Sequence, residues 1–197
     1  MAPQCILLWE GAEIEYLLEE KLATCGRGSH FSDALRMKHR TCVQLGGTSS
    51  AVSLANSLLL DGEAVALVLD SDSIDESDIE ERRIVYRDAL RRGGARGSGH
   101  VFLVAPESEA LFFADRAFVE RVLGPVDERT LLLGRVKPSR VIADKLGPNG
   151  RDLMLRRLEQ DGSGASAIAR DEIVQQVAGF LREPRSWKAP GAPALTF

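Results

Sequence analysis

The feature that most constrains the fold is an apolar run, Val65-Ala66-Leu67-Val68-Leu69, followed directly by Asp70-Ser71-Asp72. The run follows the turn residues Asp61-Gly62 and is apolar at successive positions, which is typical of a strand buried on both faces. Such strands belong to parallel sheets, which bind ligands at the carboxyl ends of their strands. The run therefore predicts a parallel strand over residues 65–69 with two carboxylates at the ligand-binding edge.

A second apolar run also ends in an acid. Ile6-Leu7-Leu8-Trp9 precedes Glu10-Gly11. If the two strands are neighbours, Glu10, Asp70 and Asp72 meet at one edge of the sheet, and their like charges need a cation. A hard divalent ion such as Mg²⁺ (or Mn²⁺) suits such oxygen ligands and can activate water for attack on a phosphoryl group. The alternative is that Glu10 and Asp72 are simply acids favoured at the beginning of helices.

The order of the elements predicts an α/β fold. Strands over residues 5–9, 41–45, 65–69 and 100–104 alternate with helices that begin near residues 12, 48, 75 and 107. This order predicts a mostly parallel four-stranded sheet with helices on both faces. Thr48 or Ser49 is expected to cap the second helix. A polar loop is expected from residue 26 to about residue 40.

The remainder of the chain predicts helices and a tail. Helices are expected over residues 118–123, 139–146, 151–158 and 168–181. We therefore divide the chain into an α/β domain (1–118), a C-terminal helical extension packed on it (119–183) and an extended or disordered tail (184–197).

Composition restricts the class of protein. The chain has 197 residues, of which 44% are hydrophobic and 27% charged, and a net charge of −4. The length suffices for one substantial core, and the charge argues against coating DNA by bulk electrostatics. The sequence shows neither a signal peptide nor a membrane span, so we expect a cytoplasmic protein without a membrane partner.

A group of four possible zinc ligands falls within 18 residues of the chain. It consists of Cys25, His30, His39 and Cys42. Their spacing matches no common zinc module, so we interpret the segment as a polar loop containing incidental histidine and cysteine.

The order and spacing of the two acidic motifs resemble the Toprim domain, which is shared by topoisomerases, bacterial primases, recombination-mediator proteins and OLD-family nucleases. The motifs are Leu7-Leu8-Trp9-Glu10-Gly11 and Leu67-Val68-Leu69-Asp70-Ser71-Asp72, and the resemblance covers about residues 4–115. It implies a Rossmann-like sheet and a magnesium site formed by the glutamate and the two aspartates, with Glu10 as the general acid or base in an alternative assignment.

The resemblance to OLD-like members implies further site residues. Glu107 or Glu109, in Ala105-Pro106-Glu107-Ser108-Glu109, would join the acidic site, and Lys137 corresponds to a lysine beyond the last core strand, with Lys145 behind it. The chain departs from the pattern at Ile14, where these proteins carry a second acid. Asp75, Glu76 and Asp78 could bind a second ion instead, or they could form an ordinary solvated helix beginning.

Basic residues cluster on the helix predicted after Asp72. Arg83, Arg87 and Arg91 are four residues apart and therefore share one face. This face could follow a phosphate backbone, or its arginines could pair with the acids Glu80, Glu81 and Asp88.

The sequence thus favours a magnesium-dependent nuclease or a nucleic-acid phosphoryl-transfer subunit. By resemblance, the expected partners are nucleic acid and an ATPase, as in anti-phage defence, and a homodimer is a further expectation. A phosphatase of the haloacid dehalogenase type also carries Asp-x-Asp after an apolar strand, but on its first strand. A degenerate Toprim module that binds without cutting is the other alternative.

Overall fold

The structure is a computed structural model that describes residues 5–10, 40–45, 47–92, 96–160 and 171–184. Its first half contains β1 (Cys5–Glu10) and then, alternating from β2 onwards, β2 (Arg40–Leu45), α1 (Thr48–Leu60), β3 (Ala64–Asp70), α2 (Glu76–Arg92) and β4 (Gly99–Val104). Helices follow: a 3-10 helix (Ser108–Ala114), α3 (Arg116–Leu123), α4 (Glu128–Val136), α5 (Pro138–Leu146), α6 (Gly150–Gln160) and α7 (Glu172–Arg182).

The described strands pair in parallel in the order β2-β1-β3-β4. Leu8 lies opposite Leu67 in the β1–β3 pairing, and Val68 lies opposite Phe102 in the β3–β4 pairing. Every residue of β3 except Asp70 is buried. The predicted α/β class is therefore confirmed, and the uninterrupted apolar run is explained by burial of both faces of β3.

Alternate residues of β3 pack into two separate cores. Val65, Leu67 and Leu69 belong to a core with residues of α1, α2 and β4. Ala64, Ala66 and Val68 belong to a larger core with residues of β4, the 3-10 helix and α3 to α7. Because side chains alternate across a strand, helices cover both faces of β3.

The larger core crosses the predicted boundary between residues 118 and 119. Phe118 and Val119 both belong to it, together with Phe102 of β4 and Phe180 of α7. The C-terminal helices therefore share their core with the sheet. The division of the chain into domains remains a prediction.

Helix α1 begins at Thr48, as predicted, but its cap differs from the prediction. Gly47 occupies the N-cap position, and no side chain caps the helix, so the expectation for Thr48 or Ser49 is wrong. Both residues lie inside the first helical turn. At the other end the predicted turn is present, because Gly62 adopts a φ of 86° and Glu63 N–H donates to Leu58 O at 3.0 Å.

Two of the later elements differ from the prediction. Helix α4 was not expected, although Asp127 Oδ1 accepts from Thr130 N–H at 2.7 Å and caps it. The helix expected from residue 107 is a 3-10 helix. The helix predicted over 168–181 is described from Glu172 onwards.

Some expectations fall outside the described residues. They are the helix predicted from residue 12, most of the loop over 26–40, and residues 185–197 of the tail. Within the part of the chain that the structure covers, no helix has both the length and the apolar character needed to cross a membrane.

Candidate functional site at the carboxyl edge of the sheet

The structure brings the ends of β1 and β3 together. The two strands are parallel neighbours in which Trp9 lies opposite Val68. Glu10 follows Trp9 as the last residue of β1, and Asp70 follows Leu69 as the last residue of β3. Since neighbouring strands are about 4.8 Å apart, the backbones of Glu10 and Asp70 lie close together at the carboxyl edge. We call Glu10, Asp70 and Asp72 the acidic edge.

Asp70 is half-buried and connects β3 to the 3-10 helix. Its Oδ1 accepts a hydrogen bond from Ser108 N–H at 2.8 Å. Ser108 is fully buried, so this bond satisfies one of the N–H groups that are left without a partner at the beginning of a helix. Asp70 therefore has a structural role in addition to its position at the ligand-binding edge.

Asp72 has an unusual backbone and an exposed side chain. Its φ is 53°, in the left-handed region that aspartate tolerates better than most residues. Its N–H donates to Pro106 O at 2.8 Å, which holds the turn after β3 against the segment after β4. Its carboxylate pairs with Arg82 of α2, at 2.8 Å between Oδ2 and Nη1.

Two acids at the beginning of α2, Asp75 and Asp78, make local hydrogen bonds. Asp75 Oδ1 accepts from Ser77 N–H at 2.8 Å, and Asp78 Oδ2 accepts from Ser73 Oγ at 2.9 Å. Hydrogen bonds from the Ser77 hydroxyl and from backbone N–H groups lower the pKa of Asp75. Glu76 is exposed in the first helical turn. These contacts favour a helix beginning as the role of Asp75 and Asp78.

Glu107 lies next to the acidic edge and contacts α5. It precedes Ser108, whose N–H binds Asp70, and its Oε2 accepts a hydrogen bond from the Ser139 hydroxyl. Lys137 connects α4 to α5 two residues before Ser139 and is exposed. The Glu107–Ser139 contact therefore places the α4–α5 junction, with Lys137, on the same side of the molecule as the acidic edge.

Glu109 is buried away from solvent and paired. Its side chain is 4% exposed, and its Oε1 lies 3.0 Å from Arg151 Nε of α6. Ser108 Oγ donates to its Oε2 at 3.3 Å. Of the two glutamates suggested by the resemblance, Glu107 is thus the one more accessible from the edge.

The three arginines predicted to share one face of α2, Arg83, Arg87 and Arg91, contact acids of their own helix. Arg83 pairs with Glu80, while Arg87 Nε and Arg91 Nη1 lie 3.8 and 3.9 Å from Asp88 Oδ1. The helix begins at the carboxyl edge. With a rise of 1.5 Å per residue, Arg91 lies about 20 Å from the beginning of the helix. These pairs favour an ion-paired surface, and Arg83 is the nearest of the three to the acidic edge.

The sequence did not predict the contacts that three residues make with the site: Arg82, Ser108 and Ser139. Arg82 lies ten residues from Asp72, and its contact depends on the course of α2 and on the left-handed backbone of Asp72. Ser108 and Ser139 carry a local signal, since serine is favoured where a helix begins. That signal does not reveal the partner of either residue.

The acidic edge offers carboxylate oxygens, which are the ligands that hard cations prefer. The described side chains alone do not complete a metal site. Among the described side chains, no three acids, histidines or cysteines are grouped closely enough to hold a metal ion. The Glu10 side chain is not one of those described. Asp70 and Asp72 supply two carboxylates, and the third predicted ligand would come from β1. Cys25, His30 and His39 lie outside the described residues, so zinc binding there is untested.

Comparisons with known proteins do not assign a family to the chain. No family model, curated protein or solved structure matched it. The Toprim resemblance therefore remains a prediction from the two acidic motifs.

Proposed function

We propose that the chain is a divalent-cation-dependent nuclease, or a nucleic-acid phosphoryl-transfer subunit, of the Toprim type. The observation that carries this proposal is the parallel pairing of β1 with β3, which aligns Glu10 with the end of the strand that leads into Asp70 and Asp72. Two strands that each end in an acid are thereby neighbours at the edge where open α/β sheets bind ligands.

Glu10, Asp70 and Asp72 would hold the cation, since carboxylate oxygens are the ligands that Mg²⁺ and Mn²⁺ prefer. The bound ion would supply a nucleophilic hydroxide and charge neutralisation for phosphodiester hydrolysis. Glu76 and Glu107 are the acids that could extend the set of ligands. The chain itself orients Asp70 through Ser108 N–H and fixes the backbone of Asp72 through Pro106 O.

Lys137 is the proposed cationic side chain on the same side of the molecule as the acidic edge. Its position beside Ser139, which contacts Glu107, supports this role. A lysine ammonium there would attract the substrate phosphate and stabilise negative charge as it develops on the phosphoryl oxygens. Arg83, followed by Arg87 and Arg91, would contact more distant phosphates, after exchanging their acidic partners for the nucleic acid.

The partners proposed for this activity are nucleic acid and, as in anti-phage systems with small Toprim proteins, a separate ATPase. A homodimer and a cytoplasmic location complete the proposal. The experiment below includes the ATPase because an effector of this kind can be inactive until its partner is present.

The test is degradation of plasmid, single-stranded DNA and tRNA by the purified chain, with and without Mg²⁺ and with and without an ATPase encoded beside it. We expect Mg²⁺-dependent cleavage that falls about 100-fold or more in Glu10→Gln and Asp70→Asn. Asp152→Asn, which removes an exposed acid on α6, is the control and should leave cleavage unchanged. Cleavage that persists in both edge variants would contradict the proposal.

A second candidate is a degenerate Toprim module that binds nucleic acid without cutting it. It is favoured by a specific observation: Asp70 accepts from Ser108 N–H and Asp72 pairs with Arg82, so both aspartates have structural partners. Retention of DNA without cleavage in the same assay would support this candidate. Hydrolysis of a small phosphomonoester would instead indicate a haloacid dehalogenase-type phosphatase.

A further inference from the structure

Helix α4 is apolar on the face that points away from the core as well as on the face that packs against it. Its inward face carries Leu131 and Gly134, which are buried. Its outward face carries Leu132, Leu133 and Val136, which are 55%, 39% and 41% exposed. A helix that is apolar all round is usually covered on both sides, and contiguous exposed apolar residues mark interaction surfaces. We call Leu132, Leu133 and Val136 the α4 patch.

Two charged residues of α4 flank the patch along the helix. Glu128 is the first residue and Arg135 the last but one, with Leu132 in the middle of α4. Because seven residues make about two helical turns, Glu128 and Arg135 lie on the same side of the patch. The Glu128 side chain is 74% exposed, although its Oε2 lies 3.4 Å from Arg116 Nη1. Arg135 is also exposed, and its Nε–H donates to Phe113 O at 3.3 Å.

This arrangement of charges fits a second copy of the same surface. In an antiparallel pair of α4 helices with a two-fold axis at Leu132, Glu128 of each copy lies beside Arg135 of the other. In a parallel pair each of these residues would lie beside its own equivalent, where like charges repel. The antiparallel arrangement also covers the α4 patch of one copy with that of the other.

We propose that two copies of this chain pair through the α4 patch, antiparallel and two-fold symmetric, with the contact between Glu128 and Arg135 formed twice. The inference rests on the homodimer included in the proposed function and on none of its chemistry. A helix of nine residues covers less than the roughly 800 Å² per partner of a standard interface. The dimer is therefore weak, with a dissociation constant on the order of 10–100 µM.

Sedimentation velocity of the full chain, at concentrations from well below to well above this value, measures the dissociation constant. Leu132→Glu places two carboxylates at the two-fold axis and should raise the constant about tenfold or more. Leu153→Glu is the matched control, because it makes the same change at a leucine of α6 that is 37% exposed. It should change the constant less than about twofold.

Charge reversal tests the antiparallel pairing separately. Glu128→Arg has arginine at both positions, and Arg135→Glu has glutamate at both. Each variant should therefore pair with itself about three- to tenfold more weakly than the natural chain does. An equimolar mixture of the two variants restores both ion pairs and should dimerise within about twofold of the natural chain.

Weaker pairing in Leu132→Glu but not in Leu153→Glu, with recovery in the mixture, supports the inference. A dimer that Leu132→Glu leaves unchanged, or weakens no more than Leu153→Glu does, overturns it and assigns the homodimer to another surface. A mixture as weak as its two components overturns the antiparallel pairing.

A natural chain that is monomeric at every concentration overturns both this surface and the homodimer, and leaves the α4 patch to a different kind of partner. The cleavage assay decides the nuclease proposal independently of all these results. Thermal unfolding verifies that each variant folds, and Leu132→Ser replaces Leu132→Glu if that variant does not.

Discussion

At the scale of single residues, Asp70 combines a structural contact with a proposed ligand. Its Oδ1 accepts from the N–H of buried Ser108, and a buried N–H that loses its acceptor is costly. Alanine at position 70 would therefore change stability as well as charge. Asparagine retains a side-chain oxygen that can accept the same hydrogen bond, so it removes mainly the charge.

We predict that Asp70→Ala lowers the free energy of unfolding by about 1–2 kcal/mol, whereas Asp70→Asn lowers it by less than about 0.5 kcal/mol. Urea denaturation of the metal-free chains measures both values. If the two variants are equally stable, the Ser108 contact contributes nothing, and the structural role assigned to Asp70 is wrong.

His100 is a second residue whose environment affects stability, through the pKa of its side chain. Its ring lies against those of Phe102 and Phe180, with centroids 4.6 and 6.3 Å away. Burial, and to a lesser degree the positive charge of Arg83, lower the pKa of His100 to about 4. The folded protein therefore keeps this imidazole neutral under conditions in which the unfolded chain protonates it.

Because the unfolded chain binds the extra proton, stability contributed through His100 is complete above pH 6.5 and is lost progressively as the pH falls towards 4. The loss should approach about 1.4 kcal/mol per pH unit and reach roughly 3 kcal/mol in total. Urea denaturation at several pH values between 7 and 5 gives the free energy of unfolding at each pH. This free energy should change less with pH in His100→Gln than in the natural chain. An identical pH dependence of the free energy of unfolding in both chains would show that His100 does not titrate as assigned.

At the scale of elements, the packing of α4 on the 3-10 helix depends on one glycine. A Cβ at Gly134 would overlap Cδ1 of Phe113. Phe113 is buried, so its ring has little room to move. The glycine is therefore required by close approach between the two elements, although it lowers the helix propensity of α4.

We predict that Gly134→Ala destabilises the protein by about 1–3 kcal/mol, since the clash exceeds the gain in helix propensity. Gly47→Ser is the control, because a Cβ there meets no atom within 4 Å, and its effect should stay below about 0.5 kcal/mol. Thermal unfolding of both variants gives the comparison. A stabilised Gly134→Ala would contradict the packing described here.

The same elements show how far the sequence predicts the fold. Strand β3 was predictable because an apolar run of five residues between Asp61-Gly62 and two acids fits a buried strand and little else. Helix α4 was not, because Leu132, Leu133 and Val136 are exposed while Gly134 is buried. Its apolar residues therefore do not form the inward-facing stripe that reveals an amphipathic helix. Seven residues beginning at Ser108 are also too few for periodicity to distinguish a 3-10 helix from an α-helix.

At the scale of the whole molecule, the sheet and the C-terminal helices depend on a common core. Ala64, Ala66 and Val68 of β3 belong to the same cluster as residues of α3, α5, α6 and α7. Without those helices this face of the sheet would be exposed to water. Exposure costs about 25 cal/mol of free energy for each Å² of apolar surface.

We therefore predict that residues 1–118 alone do not fold, whereas a fragment of residues 1–184 does. Cooperative thermal unfolding followed by circular dichroism distinguishes the two fragments. A cooperative transition in the 1–118 fragment would show that the α/β part is an independent domain.

The candidate site was predictable in its position but not in its contacts. Acids placed directly after two apolar runs indicate the carboxyl edge of a parallel sheet, and the β1–β3 pairing agrees with that position. The contacts of Asp70 with Ser108, of Glu107 with Ser139 and of Asp72 with Arg82 join residues far apart in the sequence. They arise from how the helices pack around the sheet, which local sequence patterns do not encode.

The central claim is that acids at the ends of two neighbouring strands bind one divalent cation. Anomalous diffraction from a crystal of the full chain soaked in Mn²⁺ tests it most directly. The account predicts a peak at the carboxyl edge, within about 2–2.6 Å of Glu10, Asp70 or Asp72 oxygens. A crystal saturated with Mn²⁺ that shows no peak there would contradict it.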